Sequence, residues 1–130
     1  MSGIYNATYF VSRPEEACSP GLLYCVILVN RKTDEREVLK IGITKGRTWK
    51  DAVKRSFGFK GYDLRIQKTY SGTLLEVWEL EQALHKKWAH KSKKPSIKFS
   101  GHTECFCPSI LSEVLKGTPW AEEEKPTKNT

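Results

Sequence analysis

The sequence predicts a small α/β (α+β) domain, a three-stranded antiparallel sheet flanked by helices. Three observations predict it. Leu22 to Val29 is an apolar run rich in β-branched residues, and Val38 to Ile43 is a shorter one. The stretch between them, Asn30 to Glu37, is charged and full of turn formers, so the two runs read as a hairpin. Downstream, Tyr62 to Tyr70 alternates apolar and polar residues as a third strand would, and Leu74 to Lys91 carries apolar residues at helical spacing.

A chain of 130 residues suits one domain, and four Trp, five Tyr and five Phe are enough for a real core. The formal net charge of +7 favours a polyanionic partner, and with the aromatics it points to nucleic acid. There is no run of about 18 apolar residues, so no membrane span is expected. The N-terminus lacks a basic n-region followed by an apolar h-region. The chain is therefore expected in the cytoplasm, with its four cysteines reduced. Cys25, inside an apolar run, reads as a small hydrophobe. Cys105 and Cys107 flank Phe106 with His102 nearby, but no C-x-x-C pair supports a zinc site.

Taken in order, residues 1–20 form an N-terminal extension, with an edge strand over Ile4 to Val11 and a loop over Pro14 to Pro20. After the hairpin, Thr48 can cap a helix whose buried stripe is Trp49, Ala52, Val53 and Phe57. Lys50, Lys54 and Arg55 fall off that stripe, and Gly58 and Gly61 end the helix. Ser71-Gly72 reads as a turn. In the long helix that follows, Val77, Leu80, Leu84 and Trp88 share one face. Glu81 lies on the edge of that face, with His85 one turn further on. An acid so placed needs a partner, a proton or a metal, and a lysine such as Lys40 or a divalent cation would serve. His90 to Lys98 is a basic loop. It is either simply solvated or a strip of phosphate contacts. Ser109 to Lys116 reads as a closing helix. The domain spans residues 21–118, and residues 119–130 read as a disordered tail.

A Gly21-x-x-Tyr24 strand followed by a Lys40-Ile41-Gly42 strand resembles the GIY-YIG nuclease superfamily, with Lys40 where the second tyrosine usually stands. The stretch from Leu80 to His85 (LEQALH) resembles the family's metal-binding helix motif. Gly101 to Phe106 (GHTECF) resembles a segment of a phage-borne branch, in which Glu104 and Phe106 would anchor the segment against the sheet. The resemblance covers Gly21 to Leu115, with its motifs in the family's order. The literal Gly3-Ile4-Tyr5 stands too far from Lys40-Ile41-Gly42 to be the adjacent strand. The chain departs from the family in a longer hairpin turn, in lacking a clear late asparagine, and in an arginine displaced from Gly42.

The resemblance implies a GIY-YIG-like fold and a DNA endonuclease that uses Mg²⁺ (or Mn²⁺). Phosphodiester hydrolysis needs a base for the attacking water, neutralised phosphoryl oxygens and a stabilised leaving oxygen. Tyr24 would be the base. Tyrosine ordinarily titrates near 10, so a neighbouring cation is needed, and Lys40 on the adjacent strand would supply it. Arg55 would fork onto the phosphate, with Arg47 the competing choice. Glu81 would hold the metal, and His85 is a further catalytic candidate. Lys45, Arg47, Lys50, Lys54, Lys91, Lys93, Lys94 and Lys98 would meet the DNA backbone. With no room for a separate DNA-binding domain, a homodimer or higher oligomer is a natural way to cut both strands, and a phage-encoded chain would work in a bacterial host cell. The alternatives are a nucleic-acid-binding module on the same fold with little or no catalysis, and a protein-interaction domain.

Overall fold

The computed structural model describes residues 5–46, 61–97, 104–117 and 119–120. The expected helix from Thr48 to Phe57 lies outside them. Strand β1 (Pro20–Asn30) runs antiparallel to β2 (Arg36–Lys45), from Gly21↔Lys45 to Val29↔Arg36. This is the predicted hairpin, extended at both ends. Turn chemistry closes it. Asn30 Oδ1 accepts from the backbone N–H groups of Lys32 at 2.8 Å and Thr33 at 3.2 Å, and Asp34 takes the left-handed conformation at φ 64°. Strand β3 (Tyr62–Thr73) pairs with the other side of β1. The strand therefore runs through Ser71 and Gly72, where the sequence had suggested a turn.

The sheet has four strands rather than three, in the order β3-β1-β2-β4. The added strand, β4, is only Cys105–Phe106, paired as Leu39↔Phe106 and Lys40↔Cys105. A two-residue strand is too short for any periodicity to announce it.

The N-terminal readings are corrected. Ala7–Ser12 is a helix, α1, not part of an edge strand. Asn6 caps it, its Oδ1 accepting from Tyr9 N–H at 2.8 Å. Pro14–Ala17 is a second short helix, α2, in place of the expected loop, with Pro14 at its start and Glu15 and Glu16 in its first turn. Phe10 of α1 is buried against the main core, so the extension packs onto the domain.

Helix α3 (Leu74–Lys87) carries a full capping box. Thr73 Oγ1 accepts from Glu76 N–H, and the Glu76 carboxylate accepts from Thr73 N–H. A 3-10 turn, Ala89–Lys91, follows it. The α3 face made by Leu74, Val77 and Leu84 packs with Leu23, Cys25, Ile27, Leu39 and Ile41 on one side of the sheet. Leu80, Trp78 and Trp88 are half-buried against the same core. Fully burying side chains of this kind contributes about 1.5–3 kcal/mol each. Gly21 permits the close docking of α3, since a Cβ there would stand 2.8 Å from Leu74 Cα and from Val77 Cγ2.

The other side of the sheet buries Tyr24, Val26, Leu28, Val38, Tyr62 and Cys105. Helix α4 (Leu111–Lys116), preceded by the 3-10 turn Pro108–Ile110, closes the described domain. Trp120 is fully buried in the main core, so the core extends past the boundary expected at residue 118. No helix among the described residues is long and apolar enough to cross a membrane.

Candidate functional site

The β1–β2 register decides where the two strand candidates point. Tyr24 pairs with Gly42, and Val26 pairs with Lys40. Side chains alternate across a strand, so Tyr24, Gly42 and Lys40 share one face. The contacts agree. A Cβ on Gly42 would stand 2.6 Å from the Tyr24 hydroxyl oxygen and 2.8 Å from Lys40 Nζ. Gly42 is thus a bare patch of backbone over which the two polar tips meet. Lys40 Nζ also lies 5.5 Å from the centre of the Tyr24 ring.

Lys40 is 4% exposed, and Nζ donates to Glu104 Oε1 at 3.0 Å. Burial works against its charge, but the Tyr24 oxygen and the Glu104 carboxylate outweigh that and hold the ammonium well above the usual lysine range. Glu104 immediately precedes β4, so pairing of the Cys105–Phe106 strand with β2 carries it to the lysine. The expected anchoring by Glu104 and Phe106 is visible here: Glu104 bonds Lys40, and Phe106 is buried in the core.

Helix α3 supplies the other two groups from the opposite side of the sheet. Glu81 is only 1% exposed. Burial first, then the charge of Glu104, pushes its carboxyl up to about 8, with Lys40 opposing them. Gln82 Nε2 donates to Glu81 Oε1 at a long 3.4 Å. His85 stands one turn on, its Nε2 3.9 Å from Glu81 Oε2. That nitrogen donates to the Ile41 carbonyl at 2.8 Å, which leaves the lone pair on Nδ1. Burial holds His85 below the usual histidine range, so it is neutral at pH 7.

Ligand atoms of Glu81, His85 and Glu104 all lie within 4.8 Å of one another, and the group could hold a metal ion. The donor chemistry fits a cation. Two carboxylates and a neutral imidazole suit Mn²⁺ or Zn²⁺, whereas Mg²⁺ favours oxygen donors alone. Among the described residues Glu81 accepts one long hydrogen bond, and a carboxylate so buried is the kind of group a cation would compensate.

The remaining candidates divide. Lys91, Lys93 and Lys94 are exposed. Backbone bonds fix their segment to the sheet edge: Lys93 N–H donates to Cys105 O at 3.0 Å, and Cys107 N–H donates to Lys91 O at 2.8 Å. Lys45 is instead paired with Glu16, at 2.9 and 3.1 Å, and ties α2 to the end of β2. Arg47, Lys50, Lys54, Arg55 and Lys98 lie outside the described residues, as does His102.

Two polar features escaped the sequence reading. Glu104 appeared there only as an anchor, although an acid two residues from an apolar Phe106 was a signal that it would be drawn inward. Glu37, which the sequence places in the hairpin turn, belongs to β2. It is buried, and accepts from Asn30 Nδ2 at 2.9 Å, Ser96 Oγ at 2.6 Å, Ser96 N–H at 3.0 Å and Tyr62 OH at 2.5 Å. No protein-family model, curated protein or solved structure matches the chain.

Proposed function

We propose that the chain is a divalent-metal-dependent DNA endonuclease that works in the manner of the GIY-YIG superfamily its motifs resemble. The observation that carries this reading is the convergence of Tyr24, Lys40, Glu81, His85 and Glu104, drawn from β1, β2, α3 and the approach to β4. Ion pairing alone would need only Lys40 and one acid. A second buried acid and a neutral imidazole within reach of Glu104, and a tyrosine hydroxyl beside Lys40, match the parts list of phosphodiester hydrolysis.

In this reading Tyr24 acts as a phenolate beside the Lys40 ammonium: it takes a proton from the attacking water and becomes the neutral phenol, and the negative charge passes to the phosphoryl oxygens. Glu81, His85 and Glu104 would hold the cation. When bound, the cation would supply Lewis-acid stabilisation of the phosphoryl oxygens and of the leaving 3′ oxygen. Arg55 or Arg47 forks onto the scissile phosphate. Lys91, Lys93 and Lys94 neutralise backbone phosphates along the sheet edge.

One observation favours a second reading, a nucleic-acid-binding module without catalysis. Tyr24, Lys40, Glu81 and Glu104 are each 8% exposed or less, so a phosphodiester reaches them only if the site opens. Incubation of supercoiled plasmid with the protein and Mg²⁺ or Mn²⁺, with and without EDTA, separates the two. Nicked and linear forms that appear only with free metal support the nuclease. Salt-sensitive binding without any strand breakage supports the module.

A further inference from the structure

Two cationic claims meet on one carboxylate. Glu104 Oε1 accepts from Lys40 Nζ at 3.0 Å, with the two side chains 9% and 5% exposed. The same carboxylate lies within 4.8 Å of the ligand atoms of Glu81 and His85. Besides His85, Glu81 meets the Gln82 amide at 3.4 Å, a donor and not a metal ligand, so Glu81 alone is a poor host for a divalent ion.

Charge counting sharpens the point. With both acids ionised, as metal ligation requires, two carboxylates against one ammonium leave the cluster with one negative charge. A divalent cation turns that into one positive charge, which matches the single negative charge of a phosphodiester. Glu104 cannot then neutralise both cations fully, and the divalent ion is the stronger claimant at short range.

The way out for Lys40 is already built. Gly42 presents no side chain, and the Lys40 ammonium and the Tyr24 hydroxyl both lie over it, at 2.8 and 2.6 Å from where a Cβ would sit. There the lysine tip already faces the tyrosine hydroxyl.

We infer that Glu104 is a shared ligand, bound by Lys40 when the site is empty of metal and by the cation when it is loaded, so that metal uptake releases the Lys40 ammonium from Glu104 and leaves it to the Tyr24 oxygen that it already faces across Gly42. This rests on the reading of Glu81, His85 and Glu104 as a metal centre. Metal and Lys40 are antagonists for Glu104.

The test is Mn²⁺ titration by calorimetry on the wild type, Lys40→Met and Glu104→Gln. Removing the antagonist in Lys40→Met should tighten Mn²⁺ binding by about 10-fold, and Glu104→Gln should weaken it by about 10-fold or more, both within the usual range of site-to-site coupling. Unchanged or weaker binding by Lys40→Met overturns the inference, as does a wild type that binds no Mn²⁺. If Lys40→Met does not fold, the Lys40 Nζ resonance of the wild type can be followed during titration with diamagnetic Zn²⁺. A saturable shift is expected, and no shift overturns the proposal. None of these readouts involves cleavage. A protein that shows the antagonism but never nicks DNA keeps this inference and loses the nuclease reading. One that nicks DNA while Lys40→Met binds Mn²⁺ as the wild type does keeps the nuclease reading and loses this inference.

Discussion

Lys40 Nζ lies 3.0 Å from Glu104 Oε1, across 64 residues of sequence, in a pocket where both side chains are almost withdrawn from water. A buried pair of this kind is costly to break from one side, because the survivor stays charged and dry. Lys40→Met should therefore cost about 3–5 kcal/mol of stability. Lys40→Met combined with Glu104→Gln should cost less than Lys40→Met alone. Denaturant melts of the three proteins check this, and a double variant less stable than Lys40→Met would contradict a direct pair.

Gly42 should be as sensitive as the residues it accommodates. A Cβ at that position meets the Tyr24 hydroxyl at 2.6 Å, Tyr24 Cζ at 2.8 Å and Lys40 Nζ at 2.8 Å, and the buried tyrosine ring cannot give way cheaply. Gly42→Ala is expected to lose about 1–3 kcal/mol, as overpacking usually does, and to displace both side chains. Its nicking rate should fall far more than that modest destabilisation explains. Full activity in Gly42→Ala would mean that the two tips need not meet there.

Glu37 sets an acid limb. Burial pushes its carboxyl up, but the hydrogen bonds from Ser96, Tyr62 and Asn30 outweigh that and hold it down to about 2. A depressed folded value stabilises above the unfolded value of about 4.3, and that contribution is lost as pH falls from there toward 2. Glu37→Gln should cost about 1–3 kcal/mol near pH 6 and converge with the wild type near pH 2. Parallel stability curves over that window would remove Glu37 from the acid response.

The lysines should separate by their pairing. Each of Lys91, Lys93 and Lys94 that meets a phosphate should lower the slope of log affinity against log salt by about 0.9 when changed to alanine. Lys45→Ala should move the slope little, because Glu16 already neutralises that ammonium. Filter-binding across a salt series measures both. Equal effects at Lys45 and Lys93 would contradict the assignment.

Much of this arrangement was legible in the sequence, and what was not has physical causes. The hairpin was readable because long apolar runs flank a turn rich in Asn, Asp and Thr. Since strands have period two, the shared face of Tyr24 and Lys40 followed once the register was guessed. Glu81 stood out because helical spacing placed an acid beside Val77 and Leu84. The helix α1 was hidden by its own residues: Tyr9, Phe10 and Val11 favour strands, and the Asn6 cap was the overlooked signal. The union of Glu104 with Lys40 depends on a two-residue strand and a 64-residue separation, and neither leaves a periodic trace.

The role of Tyr24 as the base of metal-dependent strand cleavage is tested by the initial rate of plasmid nicking by Tyr24→Phe beside the wild type. The substitution removes one oxygen and keeps the buried ring, so the melting curve should barely move. With Mg²⁺ or Mn²⁺ the wild type should nick, EDTA should stop it, and Tyr24→Phe should be slower by about 100-fold or more, the usual contribution of a positioned base. A Tyr24→Phe rate equal to the wild type, or a wild type that leaves the plasmid intact with every divalent ion, would contradict the account.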